Sequence, residues 1–125
     1  MGWVALTVTA SVYYVIPKMY GTEIYSVKLA NLHFWLVLVG QVIFSITGWI
    51  TGIQQGAMWK ALTPEGTLKY TFMEGLVKNY PYWHVRSLAG AIFIVGMVVF
   101  VLNVLLTIQK GRALEAGKSA APAAA

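Results

Sequence analysis

The chain has 125 residues, of which 58% are apolar and 10% are charged, and it contains no cysteine. This composition, with a mean hydropathy of +0.68, excludes a disordered chain, a disulfide-stapled secreted module and a cytosolic zinc ribbon. The net charge of +5 comes from scattered Lys and Arg residues, without the basic stripe that nucleic-acid binding requires. The sequence therefore predicts a membrane protein with no nucleic-acid partner.

The first segment, residues 1–16, is apolar and precedes Pro17, which we expect to end a helix. It is shorter than the roughly 20 residues that a helix needs to cross the hydrocarbon core. It lacks the basic start and small-residue cleavage site of a signal peptide. Tyr13, Tyr14 and Lys18 are instead typical of the interfacial end of a membrane helix. We predict a partial transmembrane helix whose first turns are missing from this chain.

Two later stretches, residues 31–56 and 85–108, are each long and apolar enough to cross a bilayer as a helix. Their cores, Leu32–Ile53 and Ser87–Ile108, contain neither an acidic residue nor a lysine. We therefore predict a transmembrane helix in each.

The segments between and after these helices are more polar. Residues 17–30 read as a short interfacial connector, and residues 57–84 contain the turn signal Thr63–Gly66 and then the apolar stripe of a short helix. We expect Pro81 to end that helix and expect the helix to lie on the membrane surface or on a partner. Five basic residues lie in or beside the connector and the tail, and four lie in or beside the 57–84 loop. Because basic residues are more frequent on the cytoplasmic side, this count favours a cytoplasmic connector and tail and a periplasmic loop. The alanine-rich tail, residues 109–125, is predicted to be disordered.

Small and polar residues within the predicted helices indicate where neighbouring helices approach. Gly48, Gly52 and Gly56 form a smooth ridge, which is either a helix-packing surface or a backbone site for a ligand or a large planar cofactor. Further points of close approach are expected at Gly90, Ala91 and Gly96. Polar side chains in lipid need partners, so we expect interhelical hydrogen bonds, or a proton relay, at Thr7, Thr9, Ser11, Gln41, Ser45, Thr47 and Asn103.

The chain offers few groups for chemistry. Its two histidines, His33 and His84, begin different predicted helices and are expected on opposite sides of the membrane, so they cannot share a metal ion. No catalytic residue set or phosphate loop is present. Arg86 stands at the entrance of the last helix, where it either snorkels to the interface or pairs with a buried anion on the outer side.

Four blocks of sequence, in order, resemble the C-terminal end of the catalytic subunit of cbb3-type cytochrome c oxidases, within the haem-copper oxidase superfamily. The similarity extends over roughly residues 2–108. The blocks are YYVIPKMYG at 13–21, NLHFWLVLVG at 31–40, GWITGIQQGAMW at 48–59 and VRSLAGAIFIVGM at 85–97.

The resemblance implies an all-α transmembrane fold of twelve helices that holds haem b, haem b3 and copper. This chain would supply the remainder of the tenth helix and the eleventh and twelfth helices. In the family, a His-x-His pair that ligates both haems stands just upstream of the segment matching Gly2–Trp3. That pair, the copper histidines and the cross-linked tyrosine are absent from this sequence. We therefore expect this chain to ligate no metal, to contain no catalytic residue and to be inactive alone.

Two residues are candidate haem neighbours by the same resemblance. The family's haem propionates face the outer side, where Arg86 is expected to lie, so Arg86 is a candidate for the propionate network. Trp3 follows the missing ligands closely and is a candidate haem contact.

The resulting hypothesis is that this chain is part of a terminal respiratory oxidase, which passes electrons from cytochrome c to O2 and pumps protons. The chain would form a helix-packing wall in the bacterial inner membrane. Its partners would be the remaining helices of the subunit, the cytochrome c-type subunits and the lipid bilayer. The alternatives are a small non-enzymatic membrane subunit that stabilises a partner complex, and the equivalent part of a nitric oxide reductase.

Overall fold

The computed structural model describes residues 2–120, with side chains to residue 117, and this part of the chain contains three helices and no strand longer than an isolated bridge. The helices are α1 (Gly2–Met19), α2 (Val27–Lys60) and α3 (Phe72–Ala120). They contribute to two compact units, one formed by Met1–Val37 with Ile94–Ala125 and the other by Leu38–Phe93. The fold is all-helical, as the sequence predicted.

Helix α1 ends in a Schellman motif. Gly21 adopts a left-handed backbone conformation with φ of 55°, and its N–H donates to the Lys18 carbonyl at 3.4 Å. The Thr22 N–H donates to the Pro17 carbonyl at 3.0 Å, which completes the motif. The expectation that Pro17 ends the helix was wrong by one turn. Proline removes one donor only, and glycine four residues later supplies the conformation that stops the helix.

The start of α2 is fixed by Ser26. Its hydroxyl oxygen accepts a hydrogen bond from the Leu29 N–H at 3.3 Å, as expected of a helix N-cap. The Ser26 carbonyl accepts the first intrahelical bond, from the Ala30 N–H at 3.2 Å. The sequence from Gly21 to Ser26 is therefore a short connector between two capped helix ends.

A tight turn and a capping box connect α2 to α3. The Gly66 N–H donates to the Thr63 carbonyl at 2.9 Å with a Gly66 φ of 82°, which confirms the predicted turn. Thr71 and Glu74 then cap α3 reciprocally. The Thr71 N–H donates to Glu74 Oε2 at 2.8 Å, and the Glu74 N–H donates to Thr71 Oγ1 at 3.3 Å.

Helix α3 is longer than the sequence predicted at both ends. It passes through Pro81, so the expected separate short helix does not exist, and it continues through residues 109–120, which were predicted to be disordered. Proline interrupts one intrahelical bond, and the bonds on both sides keep the helix continuous. Residues 109–117 include good helix formers such as Leu and Glu, which extend a helix that is already nucleated. The prediction for residues 121–125 lies outside the described residues.

The distribution of side chains is that of a protein surrounded by lipid. Among the described residues, the fully buried side chains are mostly polar, whereas large apolar side chains are widely exposed. A water-soluble protein shows the reverse. Helices α2 and α3 are long and apolar enough to cross a membrane. The buried polar side chains are Thr9, His33, Thr47, Asn79, Asn103 and Thr107.

Glycines permit close helix contacts within each unit. In the second unit, a Cβ on Gly40 would lie 3.1 Å from the Ala89 carbonyl oxygen. In the first unit, a Cβ on Gly96 would lie 3.1 Å from Val37 Cγ2, as expected for a point of close approach. A Cβ on Gly48 would meet nothing within 4 Å, and the same holds for the rest of its ridge and for Gly90. The ridge therefore remains open within the described chain.

Candidate functional site

The first unit contains a buried polar clamp between α3 and the connector before α2. Asn103 is fully buried; its Oδ1 accepts a bond from the Ser26 N–H at 3.2 Å, and its Nδ2 donates to the Ser26 carbonyl at 3.0 Å. One turn later, Thr107 Oγ1 accepts a bond from the Tyr25 N–H at 3.0 Å and donates to the Asn103 carbonyl at 2.7 Å. The two side chains thus satisfy the N–H groups of Tyr25 and Ser26, which precede α2, and add a second bond to the Ser26 carbonyl, which also accepts the Ala30 N–H.

Beside this clamp, three rings from the three helices meet. The Tyr13 and His33 ring centroids are 5.8 Å apart, and Phe100 lies 5.1 Å from each. His33 is only 2% exposed. The buried atoms Tyr13 Oη and His33 Nε2 have no hydrogen-bond partner among the described residues. Tyr13 makes edge-to-face contacts with both other rings, whereas His33 and Phe100 are tilted by 35° to each other, so the three rings pack together in the interior of the unit.

Trp3 lies at the edge of a groove between α1 and the first turns of α2. It is 83% exposed and shares this groove of about 510 Å³ with Thr9, Tyr13 and His33. The structure therefore places Trp3 and His33 along the same groove, which the sequence did not indicate. The groove is mostly apolar, and its Thr9 hydroxyl bonds back to the Ala5 carbonyl at 2.9 Å.

Arg86 lies in the second unit, on the exposed surface of α3. Its guanidinium carbon is 4.1 Å from the centre of the Phe44 ring, which is a cation–π contact. Arg86 and Phe44 line a small open groove with Trp83 and Ser87. The guanidinium of Arg86 packs on the Phe44 ring, and its N–H groups can still donate hydrogen bonds, so Arg86 can bind an anion.

No group of three or more metal-ligating side chains occurs in the described residues, 2–120. His84 is exposed and its ring lies 5.5 Å from that of Tyr80. His33 is enclosed by aromatic rings. The described part of the chain therefore holds no three-ligand group of the kind that binds a copper ion.

The polar residues expected inside the bundle divide into three groups by exposure. Thr9, Thr47 and Asn103 are buried, whereas Thr7 and Ser11 are exposed and donate to their own helix. Of the other two, Gln41 Nε2 donates to Ser45 Oγ at 3.2 Å on the same helix. Within the described chain, Asn103 makes hydrogen bonds to a distant segment.

Several residues of this region were not predicted from the sequence. Ser26 and Thr107 were not predicted to take part, and Tyr13 was expected only at the interfacial end of the first helix. The roles of these residues depend on contacts between distant segments. The Thr71–Glu74 capping box could have been found, because the T-x-x-E pattern is local. The hydrogen bonds of this cap hold the pKa of Glu74 below its ordinary value, and the bond from the Thr71 backbone N–H has the largest effect.

Comparison with known proteins places the chain in a family. Residues 1–92 match the family model described as Cytochrome C and Quinol oxidase polypeptide I. The Cbb3-type cytochrome c oxidase subunit CcoN1 of Stutzerimonas stutzeri is 40% identical over 116 residues, which cover 92% of this chain and 24% of that protein. The Cytochrome c oxidase subunit 1 homolog of Agrobacterium tumefaciens (strain T37) is 37% identical over 124 residues, or 98% of this chain and 23% of that protein.

A third relative, Cytochrome c oxidase subunit 1 of Rhodobacter capsulatus, is 30% identical over 111 residues, which cover 88% of this chain and 21% of that protein. The chain thus spans about a quarter of the length of these relatives. With its all-helical structure and two helices able to cross a membrane, the chain belongs to the cytochrome c and quinol oxidase polypeptide I family, as a part of a haem-copper oxidase subunit I.

Proposed function

We propose that this chain is part of the catalytic subunit of a cbb3-type terminal oxidase in the bacterial inner membrane. The complete enzyme would pass electrons from cytochrome c to O2 and couple this transfer to proton pumping. The match of residues 1–92 to the family model carries the proposal. The similarity to a subunit named as cbb3-type supports the finer assignment.

Within that enzyme, we propose that the chain forms a wall of the helix bundle. Two observations support this role: buried polar pairs such as Asn103 with Ser26 join distant segments in the interior, and large apolar side chains cover the outside. The Gly48 ridge, which is open within this chain, is available for a neighbouring helix. The remaining helices of the subunit and cytochrome c-type subunits are the proposed partners.

The cofactors implied by the family are haem b, haem b3 and copper in the complete subunit. The donor set in residues 2–120 does not fit metal ligation, because its ionisable side chains form no cluster. Other helices would therefore ligate these cofactors. Arg86 fits a different role, since a guanidinium held over Phe44 can pair with a haem propionate. The exposed Trp3 is the proposed contact with the edge of a haem.

Co-purification from native membranes tests this proposal. A tagged chain should bring down histidine-bearing helices of subunit I with a stoichiometric haem b spectrum and cytochrome c-dependent O2 consumption. A tagged chain that assembles with a complex lacking haem would contradict the proposal and favour an accessory subunit. Consumption of nitric oxide without O2 reduction by the purified complex would favour a nitric oxide reductase.

Substitution of Arg86 tests its proposed role. Removing a positive charge near a haem disfavours the reduced state, so Arg86→Gln should lower the haem midpoint potential, whereas Arg86→Lys should restore part of it. Lys60→Gln, which removes a charge elsewhere on the second unit, serves as the control. Equal potentials in Arg86→Gln and in the control would show that Arg86 acts only as a surface anchor.

A further inference from the structure

The ring cluster of the first unit contains two buried polar atoms with no hydrogen-bond partner among residues 2–120. They are Tyr13 Oη on α1 and His33 Nε2 on α2, and the two ring centroids are 5.8 Å apart. A buried polar group without a partner costs free energy, and such groups are rare in folded proteins. Two of them on adjacent side chains of different helices therefore indicate a binding position for a small polar molecule.

The burial of both atoms limits what that molecule can be. Tyr13 Oη and His33 Nε2 are enclosed by the described chain itself, so a helix or subunit packed against its surface would not contact them. His33 as a whole is only 2% exposed. The two atoms also form no hydrogen bond with each other. The partner is therefore small enough to lie between the helices, whatever covers this part of the chain in the complete protein.

A third polar group comes from α3. Asn103 follows Phe100 by three residues, so both lie on the same face of the helix. The Asn103 side chain lies near the Tyr13 hydroxyl but forms no hydrogen bond with it. Asn103 Nδ2 donates one hydrogen to the Ser26 carbonyl at 3.0 Å, and the amide carries a second hydrogen. All three helices thus contribute a polar group to the same region.

Water is the ligand whose chemistry matches this set. A buried water typically makes about three hydrogen bonds to otherwise unpartnered groups. Because water both donates and accepts, it can bond to His33 Nε2 in either tautomer of the ring and to the Tyr13 hydroxyl in either orientation. A metal ion does not match, since no group of three metal-ligating side chains occurs in residues 2–120.

Space for water lies beside the ring cluster. Tyr13 and His33 also line the groove of about 510 Å³ between α1 and α2. One water molecule needs only about 10–15 Å³ of such space. A small rotation of either ring would therefore admit a water molecule from the groove to the buried atoms.

We propose that Tyr13 Oη, His33 Nε2 and the second Nδ2 hydrogen of Asn103 bind one buried water molecule. This water links α1, α2 and α3 by hydrogen bonds in a region where the surrounding lipid offers no polar partner. It satisfies both unpartnered atoms and fixes the orientation of the His33 ring. The inference goes beyond the oxidase assignment and does not depend on it.

Electron cryomicroscopy of the complete membrane complex, at a resolution that shows ordered water, tests this inference. We expect one density peak at about 2.7–3.2 Å from both Tyr13 Oη and His33 Nε2. Tyr13→Phe removes only the hydroxyl and should lose this peak. Tyr14→Phe removes the same group at the neighbouring position, where the side chain is 63% exposed, and should keep the peak.

Thermal unfolding of the same complex gives a second readout. Tyr13→Phe and His33→Phe each leave the other polar atom buried with fewer partners, so each should lower the unfolding temperature. The double variant keeps three packed rings without these two polar atoms, so it should recover most of that loss. Both readouts are independent of oxidase activity.

Four results would overturn the inference. They are a map of the unsubstituted complex without the peak, a direct hydrogen bond between Tyr13 and His33, a peak that persists in Tyr13→Phe, and additive losses of stability in the double variant.

Discussion

Replacing Asn103 with leucine tests the polar clamp of the first unit. Leucine branches at Cγ as asparagine does but cannot form hydrogen bonds with Ser26. The Ser26 N–H therefore loses its partner, whereas the Ser26 carbonyl keeps its bond from the Ala30 N–H. Asn103 is fully buried, and water cannot replace the lost bonds without opening the helix contact.

The expected loss follows from these two bonds. A buried backbone N–H left without a partner costs about 1–3 kcal/mol, and the bond lost by the Ser26 carbonyl, which keeps Ala30 as a partner, adds about 0.5–1.5 kcal/mol, so the total is about 1.5–4.5 kcal/mol. Side-chain hydrogen bonds in membrane proteins average about 0.6 kcal/mol, with a maximum near 1.7 kcal/mol, which places the loss near the lower end. We expect Asn103→Leu to lower the free energy of unfolding by about 2 kcal/mol.

Thermal unfolding of the purified oxidase complex in detergent measures this effect. The matched control is Leu102→Ala, at the neighbouring position, where the side chain is 52% exposed and faces away from the clamp. This control should change stability by much less, since lipid or detergent replaces the lost contacts. If Asn103→Leu and Leu102→Ala had equal effects, the clamp would not hold the connector and this reasoning would be refuted.

Two further predictions concern a glycine contact and a helix cap. Gly40→Ala should destabilise the protein by about 1–3 kcal/mol in the same assay, because its Cβ would crowd the Ala89 carbonyl oxygen at 3.1 Å. Gly117→Ala, with nothing within 4 Å of the new Cβ, should not destabilise the protein and should favour the helix by up to about 1 kcal/mol. The pKa of Glu74 lies below its ordinary value of 4.5, so the ionised carboxylate stabilises the start of α3 above that pH and the contribution is lost as the pH falls through the lowered pKa. Hydrogen exchange of the first turn of α3, corrected for intrinsic rates, should show this acid-dependent loss, and Glu74→Gln should abolish it.

The helices and turns were predictable from the sequence where the signal is local. The apolar stretches lie within α2 and α3, and Gly66 forms the turn that the Thr63–Gly66 pattern indicated. Apolar stretches and glycine-containing turns are patterns of residues that are adjacent in the sequence, so both can be predicted without a structure. The capping box at Thr71 belongs to the same class, although the sequence analysis did not use it.

Helix ends were less predictable where a helix continues through a proline. Pro17 and Pro81 were both expected to end helices, and both lie inside them. A proline removes one hydrogen bond, and whether the helix continues depends on the bonds on either side and on tertiary packing. The contribution of tertiary packing to these helix ends cannot be predicted from the sequence alone.

The site was the least predictable part. Asn103 was expected to pair with another helix, yet its partner is the backbone of Ser26, 77 residues away. His33 was expected near an interface and is buried beside Tyr13 and Phe100. Such long-range pairs depend on the arrangement of the helices, which periodicity does not encode. The roles of Arg86 and Trp3 remain predictions.

Haem binding by the isolated chain tests the central claim most directly, which is that this polypeptide forms part of a redox bundle without ligating its metals. The chain is purified alone in detergent, supplied with haem b and examined by optical redox titration and metal analysis. The account predicts no stoichiometric haem signal and no bound iron or copper. A one-to-one low-spin haem b spectrum that disappears in a His33→Phe variant would contradict it.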